Sequence, residues 1–165
     1  MRGEDFERLY DEHSQRLFGF LVYRTGDRAL TEDLVADTFE RALRHRRRFD
    51  PRKGSEKTWL YSIALNCLRD HDRRVRTAER ALERTAAGSS AEPGGGALDR
   101  VESRDELAQA LQALSPEERE AVALRYGADL SVPEVAEALG EPLQRVEGRV
   151  YRALRKLRAE LADEG

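Results

Sequence analysis

Five side chains in the middle of the chain form a row that could bind single-stranded nucleic acid. They recur at helical spacing within residues 49–74, and they are Trp59, Ser62, Asn66, Arg69 and Arg73. Aromatic rings stack on unpaired bases and guanidinium groups bind phosphate, so the combination suits a single strand. The segment Arg52–Lys57 is predicted to be an exposed loop beside this row, able to hold an unstacked base. The alternative is that Trp59 belongs to the core and the arginines are solvated.

A second candidate surface lies in residues 141–158, near the C-terminus. Apolar residues recur there at spacings of three and four, which predicts a buried helix face made of Leu143, Val146, Val150, Leu154, Leu157 and Leu161. The far side carries Arg145, Arg149, Arg152 and Lys156, with Gln144 and Gly148 near the helix start. A solvated face would show the same pattern. A short predicted helix, Val132–Leu139, and a glycine-containing turn precede it, however, and that order is typical of a helix-turn-helix that binds duplex DNA.

An acidic row on a helix predicted over residues 31–47 is the third candidate surface, made of Glu32, Asp33, Asp37 and Glu40. Such a row is usually a solvated face, and the alternative is a docking surface for a basic protein. The three histidines lack metal-ligand spacing, and Cys67 is expected to be a small core residue. No phosphate-binding loop, serine elbow or paired-carboxylate motif occurs. We therefore expect no enzyme activity, no metal and no cofactor.

All the elements that must position these surfaces are predicted helices, so the expected fold class is all-α. Leu, Ala, Arg and Glu dominate the 165 residues, and only 7% are aromatic, which disfavours an aromatic-rich sandwich. We expect two small helical domains, residues 1–76 and 99–165, joined by a flexible linker over residues 77–98. The linker is predicted from the stretch TAAGSSAEPGGGA, which contains almost no large apolar residue. The alternative is a disordered insertion inside a single domain.

The charge of the chain is unevenly distributed. The net charge is −3, yet residues 142–158 hold six Lys and Arg residues against one acid, so the local field matters more than the total. No apolar run approaches the roughly 18 residues that span a bilayer, so membrane insertion is not expected. With a single cysteine and no apolar signal core at the N-terminus, the chain is expected to be cytoplasmic.

Both predicted domains resemble a known family. FERLYDEHSQRLFGF, TEDLVADTFERALRH and FDPRKGSEKTWLYSIALNCLRDHDRR are similar to region 2 of bacterial sigma factors of the extracytoplasmic-function (ECF) type. ALSPEEREAVALRYGADLSVPEVAEALG, followed by the basic helix, is similar to region 4 of the same family. The two matches occur in the expected order around a linker. The resemblance implies a protein that binds core RNA polymerase, directs it to promoter DNA, and associates with the nucleoid when bound.

The resemblance also implies roles for individual residues. Region 2 would dock on the clamp of the largest polymerase subunit through Glu32, Asp33, Asp37 and Glu40. It would capture the melted non-template strand of the −10 element through Arg52, Lys53, Lys57, Trp59, Asn66, Arg69, Arg73 and Arg74. Region 4 would contact the double-stranded −35 element through Gln144, Arg145, Glu147, Gly148, Arg149, Arg152 and Lys156. Many relatives are held inactive by an anti-sigma factor, so such a partner is expected here too.

The chain departs from the family pattern at the start of the basic helix. Relatives commonly have Gly-Thr-Val-Lys-Ser-Arg where this chain has Gln144–Arg149, so Arg145, Glu147 and Gly148 replace Thr, Lys and Ser. Glu147 would repel phosphate or accept a hydrogen bond from a cytosine amino group. In the first domain, Ala36 stands where relatives often carry Gln. Two alternatives to the sigma-factor hypothesis follow: a sigma-like protein that acts mainly by protein sequestration, and a stand-alone helix-turn-helix regulator.

Overall fold

The computed structural model of the chain describes residues 2–85 and 102–163. Its α-helices are α1 Gly3–Thr25, α2 Arg28–His45, α3 Glu56–Thr85, α4 Glu102–Gln112, α5 Pro116–Val122, α6 Val132–Leu139 and α7 Leu143–Ala162. A 3-10 turn, Arg46–Arg48, follows α2, and a π-helical turn, Ala123–Gly127, follows α5. The described ranges contain no strand, and the predicted all-α class is confirmed. We call α1–α3 the N-terminal bundle and α4–α7 the C-terminal bundle.

Side-chain caps set the starts of the two short helices as the sequence predicted. Ser115 Oγ accepts from the Glu118 amide at 3.2 Å, and the Glu118 carboxylate accepts from the Ser115 amide at 3.2 Å. Ser131 and Glu134 form the same reciprocal capping box at the start of α6. Both pairs satisfy amides that the first turn of a helix leaves without intrahelical partners. Gly140 ends α6 in the left-handed region, at φ 66°, where a side chain would be strained.

The second helix begins earlier than predicted. Asp27, not Thr31, is its cap, because the Asp27 carboxylate accepts from the Leu30 amide at 3.1 Å. Thr31 lies buried in the first turn, and its hydroxyl donates to the Asp27 carbonyl at 2.7 Å. Both residues are good caps on sequence grounds. Burial of Thr31 against the bundle decides between them.

Helix α3 continues to Thr85, so residues 77–85 are helical and the predicted linker does not begin at residue 77. The segment TAERALERT is composed mainly of Ala, Glu, Arg and Leu, which are strong helix formers. The remainder of the predicted linker, residues 86–98, lies outside the described residues. The predicted division into two domains stays a prediction.

The helix predicted over residues 116–126 is also interrupted. Helix α5 ends at Val122 and widens into the π-helical turn, in which the Ala128 amide donates to the Ala123 carbonyl at 3.0 Å. Ala128 and Leu130, just beyond it, are fully buried. Burial of these two side chains outweighs the preference of the sequence to continue a regular helix.

Buried side chains from both bundles form one continuous apolar core. Leu9, Leu17 and Phe20 contribute from the N-terminal bundle, and Leu124 and Val135 from the C-terminal bundle. Helix α6 packs on α3, and the π-helical turn packs on α1. Each fully buried Leu, Val or Phe contributes about 1.5–3 kcal/mol, so the shared core holds the two bundles together. A smaller cluster joins α4, α5 and α7 through Ala110, Leu111, Leu114, Val122, Ala153 and Leu157.

Among the residues that the structure describes, no helix has both the length and the apolar character required to cross a bilayer.

Candidate nucleic-acid interface

A cleft of about 210 Å³ lies where the loop after α2 meets the first turns of α3. Its wall contains the ring pair Phe49 and Trp59, whose centroids are 5.3 Å apart and whose planes are tilted by 52°. The loop is fixed by Asp50, whose carboxylate accepts from the Arg52 amide and whose carbonyl accepts from the Lys53 amide, both at 3.0 Å. An aromatic wall in an open cleft with a basic rim can hold an unstacked base.

The start of α3 is tied to α1, which keeps the cleft in place. The Arg8 guanidinium donates to both Glu56 carboxylate oxygens, at 3.2 and 3.1 Å. Ser55 Oγ accepts from the Thr58 amide at 3.1 Å. The cleft therefore rests on helices rather than on the loop alone.

The structure brings three of the predicted −10 residues, Asn66, Arg69 and Arg73, together as exposed residues on one side of α3. Arg52 and Lys53 are exposed on the loop before α3, and Arg74 is exposed beside the groove between α2 and α3. Trp59 is half-buried, so it is neither a solvent-exposed platform nor a fully buried core residue. Lys57 differs from the rest, because its ammonium donates to the Asp129 carbonyl of the C-terminal bundle at 2.9 Å.

The acidic row lies on the solvent side of α2. Glu32, Asp33 and Glu40 are exposed, while Asp37 is half-buried. Asp33 and Asp37 also line an open groove of about 620 Å³, whose other wall is formed by α3. The sequence placed the acids on one face of a helix, but the groove depends on how α2 and α3 pack. Residues distant in sequence, His71, Arg74, Val75 and Ala78, contribute to it.

Helix α7 buries the predicted apolar face in part. Val146, Val150 and Leu157 are buried as predicted, whereas Leu143 and Leu161 at the two ends are exposed. The core beneath α7 is shorter than the helix, so the terminal leucines extend beyond it. Gln144, Arg145, Glu147 and Arg152 are exposed, and Gly148 is half-buried. The Arg152 guanidinium folds back over Gly148, where an added Cβ would lie 3.1 Å from Nη1.

Two of the predicted −35 residues form ion pairs within the C-terminal bundle, and only one of them, Arg149, is largely removed from solvent. The Arg149 side chain is only 12% exposed and lies 2.7 Å from the Glu141 carboxylate. Lys156 donates to both oxygens of Glu118, at 3.0 and 2.9 Å. The prediction that Arg149 lies on the exposed basic face is wrong for this structure. Helical spacing does not reveal acids contributed by other elements, here the turn before α7 and helix α5.

Tyr151, on the same helix, was not among the residues predicted to contact DNA. Its side chain is 65% exposed, and it follows Gly148 by one turn on the solvent side of α7. An aromatic residue placed outside the apolar stripe of an amphipathic helix is the signal that could have identified it.

Burial and ion pairing shift the pKa of two side chains in the N-terminal bundle. Burial raises the pKa of the Cys67 thiol, which disfavours the reactive thiolate. The pKa of Asp70 lies below its ordinary value, because the Arg41 guanidinium donates to it at 2.9 Å. No cluster of His, Cys, Asp and Glu side chains suited to a metal ion occurs in residues 2–85 and 102–163.

Two family models match separate stretches of the chain. Residues 9–78 match the family model of sigma-70 region 2, and residues 104–157 match a model of sigma-70 region 4. Among the similar curated proteins is the ECF RNA polymerase sigma factor BldN of Streptomyces coelicolor, which is 34% identical over 98% of this chain. The chain spans 62% of the length of BldN. The sigma factor CnrH of Cupriavidus metallidurans is 34% identical and is covered over 96% of its length.

Two solved structures share the arrangement of helices. CnrH in complex with the cytosolic domain of CnrY superimposes with a TM-score of 0.70, at 28% identity, over 99% of this chain and 92% of that one. The sigma factor RpoE of Bartonella quintana, in complex with the anti-sigma factor NepR, superimposes with a TM-score of 0.74 over 96% and 98% of the two chains. At 24% identity, the RpoE comparison shows the fold alone.

Proposed function

The chain belongs to the sigma-70 family, as an ECF RNA polymerase sigma factor that directs transcription initiation, and from this premise we propose how its surfaces divide that work. The cleft and the exposed row on α3 capture the melted −10 strand. Helix α7 contacts the −35 duplex, and the acidic face of α2 docks on core polymerase. The observation that carries the proposal is the cleft, in which Phe49 and Trp59 adjoin the Asn66–Arg73 side of α3.

Capture of unpaired bases offsets the cost of opening the duplex. Stacking of one base on an aromatic side chain contributes about 1–3 kcal/mol, which is comparable to the stacking lost at one base step. Asn66 supplies a donor and an acceptor for a base edge, and Arg69 and Arg73 lie one and two turns further along for the backbone. Two basic residues, Arg48 and Lys53, line the cleft, and Arg52 is exposed on the same loop.

At the −35 element, sequence would be distinguished by the first two turns of α7. In a helix-turn-helix the N-terminal residues of the second helix approach base edges in the major groove. Arg145 suits guanine, Glu147 suits the amino group of cytosine, and Tyr151 offers apolar contact to a thymine methyl. Arg152 is placed for phosphate. Arg149 and Lys156 hold the helix on its bundle in the free chain, and their predicted DNA contacts stay predictions.

Polymerase supplies the affinity that these surfaces lack. Each of them offers only a few cations, so independent DNA binding at physiological salt is weak. Glu32, Asp33 and Glu40 form an exposed anionic face for a basic partner. CnrH, at 28% identity, was solved in complex with the cytosolic domain of CnrY, and we extend to this chain a protein partner, the anti-sigma factor considered above, as part of the proposal. The chain then acts in the cytoplasm, on the nucleoid when bound to polymerase.

Core binding and promoter opening test this division separately. Asp33→Arg should weaken capture of the chain by immobilised core polymerase, whereas Asn66→Ala should leave capture unchanged and reduce strand opening, measured by permanganate reactivity of unpaired thymines. Loss of core capture in Asn66→Ala, with Asp33→Arg unaffected, would overturn the assignment of the two faces.

A further inference from the structure

The mouth of the −10 cleft is occupied by a side chain from the other bundle. Glu137 of α6 extends between Gly54 and Thr58, and its carboxylate oxygen accepts from the Thr58 hydroxyl at 3.0 Å. A Cβ added at Gly54 would collide with this carboxylate. A residue assigned to the −35 half of the molecule therefore lines the site assigned to the −10 strand.

Polar contacts on either side of Glu137 fasten the two bundles together. Arg16 of α1 lies 3.0 Å from the Asp129 carboxylate, and Lys57 donates to the Asp129 carbonyl and lies 3.9 Å from Glu134. These contacts enclose the start of α3 between α1, α6 and the loop before α6. Lys57, one of the predicted −10 residues, is thereby used within the protein.

A second acid of the C-terminal bundle faces the arginine row. Glu120 of α5 is half-buried, and burial raises its pKa while the nearby Arg24, Arg69 and Arg149 lower it. Arg69 therefore interacts electrostatically with the Glu120 carboxylate as well as with solvent. The C-terminal bundle presents anions to the N-terminal bundle where DNA would present phosphates.

The packed arrangement is incompatible with simultaneous binding of both promoter elements. Elements centred near −10 and −35 are separated by about 25 base pairs, or ~85 Å of duplex at 3.4 Å per step. A compact chain of this length has a radius of gyration of about 15 Å. Because the bundles share one core here, the cleft and α7 cannot span that distance without separating.

We propose that this packed form is autoinhibited, with Glu137 acting as an intramolecular plug that contacts the Thr58 hydroxyl and excludes the −10 strand from the cleft. The inference rests on the proposed function, since it treats the cleft as the strand-binding site. The carboxylate also repels the phosphates of an entering strand. The apparent affinity for the strand is the affinity of the open form multiplied by the fraction of molecules that are open. Removal of the plug should increase that fraction and therefore the apparent affinity.

The single tryptophan of the chain, Trp59, lines this cleft and reports on it directly. The free full-length chain is titrated with a fluorescein-labelled, mixed-sequence 12-nucleotide single strand, and binding is followed by anisotropy. Quenching of Trp59 by acrylamide is measured in parallel. Glu137→Ala should bind the strand about three- to tenfold more tightly than the natural chain, as expected for the net contribution of one ordinary hydrogen bond, and Trp59 should be quenched more readily.

Matched variants separate the plug from general charge effects. Glu160→Ala removes the same charge from the exposed far end of α7 and should leave both readouts unchanged. Asp129→Asn should also increase both readouts, because it removes the Arg16 ion pair while Asn tolerates the left-handed backbone at φ 58°. If Glu137→Ala and Asp129→Asn match Glu160→Ala in both readouts, the plug does not exist.

Failure of the plug is distinguishable from failure of the proposed function. A chain that supports promoter opening with core polymerase, but whose strand affinity is unchanged by Glu137→Ala, retains the function and lacks the plug. A chain that binds no single strand in any variant, and opens no promoter with polymerase, overturns both.

Discussion

Replacement of Lys156 by methionine should destabilise the C-terminal bundle rather than remove a DNA contact. Lys156 donates to both oxygens of Glu118, whose side chain is only 10% exposed. Without the Lys156 ammonium, the Glu118 carboxylate loses two hydrogen bonds from a charged donor and retains the one from the neutral Ser115 amide. Methionine preserves the length of the apolar stem, so the substitution isolates the charge and its hydrogen bonds.

The magnitude lies between the limits for exposed and buried ion pairs. Exposed pairs contribute about 0–1 kcal/mol, and removal of one partner from a buried pair costs about 3–5 kcal/mol. The Lys156 side chain is 46% exposed, so solvent screens the pair and we expect a loss of about 1–2 kcal/mol. For a chain of this size that corresponds to a decrease in Tm of about 2–8 °C.

The pH dependence of the same pair follows from the pKa of Glu118. Burial raises this pKa, but the hydrogen bonds from Lys156 and from the Ser115 amide outweigh burial, so the pKa lies below its ordinary value of 4.5. The folded state therefore binds the proton more weakly than the unfolded state. The stabilisation is complete above about pH 4.5 and is lost as pH falls through the folded-state pKa, so Lys156→Met should lose stability less steeply in acid.

Circular dichroism melts of the natural chain and Lys156→Met, at pH 7 and pH 4, measure both effects. The matched control is Arg152→Met, an exposed position on the same helix that acts on Glu118 only through its charge, and it should lower Tm less than Lys156→Met does. In complex with polymerase, Arg152→Met should instead make the dependence of log K for promoter binding on log salt concentration less steep, by about the contribution of one phosphate contact. The reasoning is refuted if Lys156→Met keeps its Tm and shows the DNA-binding loss expected of Arg152→Met.

Three further outcomes are expected. Ser131→Ala should lower stability by about 1 kcal/mol, measured by urea unfolding, because it removes the cap of α6; an unchanged midpoint would contradict the capping role. Trp59→Ala should reduce promoter opening by about 5- to 150-fold with core binding retained, because about 1–3 kcal/mol of stacking is lost; equal loss of both activities would contradict it. Glu147→Lys should change the preferred −35 sequence in a selection from random duplexes with holoenzyme; an unchanged preference would exclude Glu147 from base recognition.

Local features of the fold were predictable because their causes are local. Ser115, Ser131 and Gly140 act through hydrogen bonds or backbone conformation within four residues, and each ends or starts a helix as the sequence indicates. The start of α2 was mispredicted for a tertiary reason. Asp27 and Thr31 are both suitable caps, and only packing of Thr31 into the bundle identifies the cap that is used.

The candidate site was predictable in its residue types and less so in their environments. Asn66 and Arg73 are exposed on one side of α3, as their spacing indicates. The partners of Arg149 and Lys57 could not be foreseen from helical spacing. Glu141 reaches Arg149 from the turn before α7, and Asp129 is 72 residues from Lys57 in the sequence. Amphipathic spacing identifies which side of a helix faces away from its own core. It does not show whether another bundle covers that side.

Promoter-specific transcription by reconstituted holoenzyme tests the central claim most directly. Core polymerase is incubated with fragmented genomic DNA, with and without the full chain, and run-off transcripts are mapped. The account predicts transcripts that start at discrete sites only when the chain is present, and that are lost with Trp59→Ala. A folded chain that binds polymerase yet yields no specific transcript would contradict it, as would specific duplex binding that needs no polymerase.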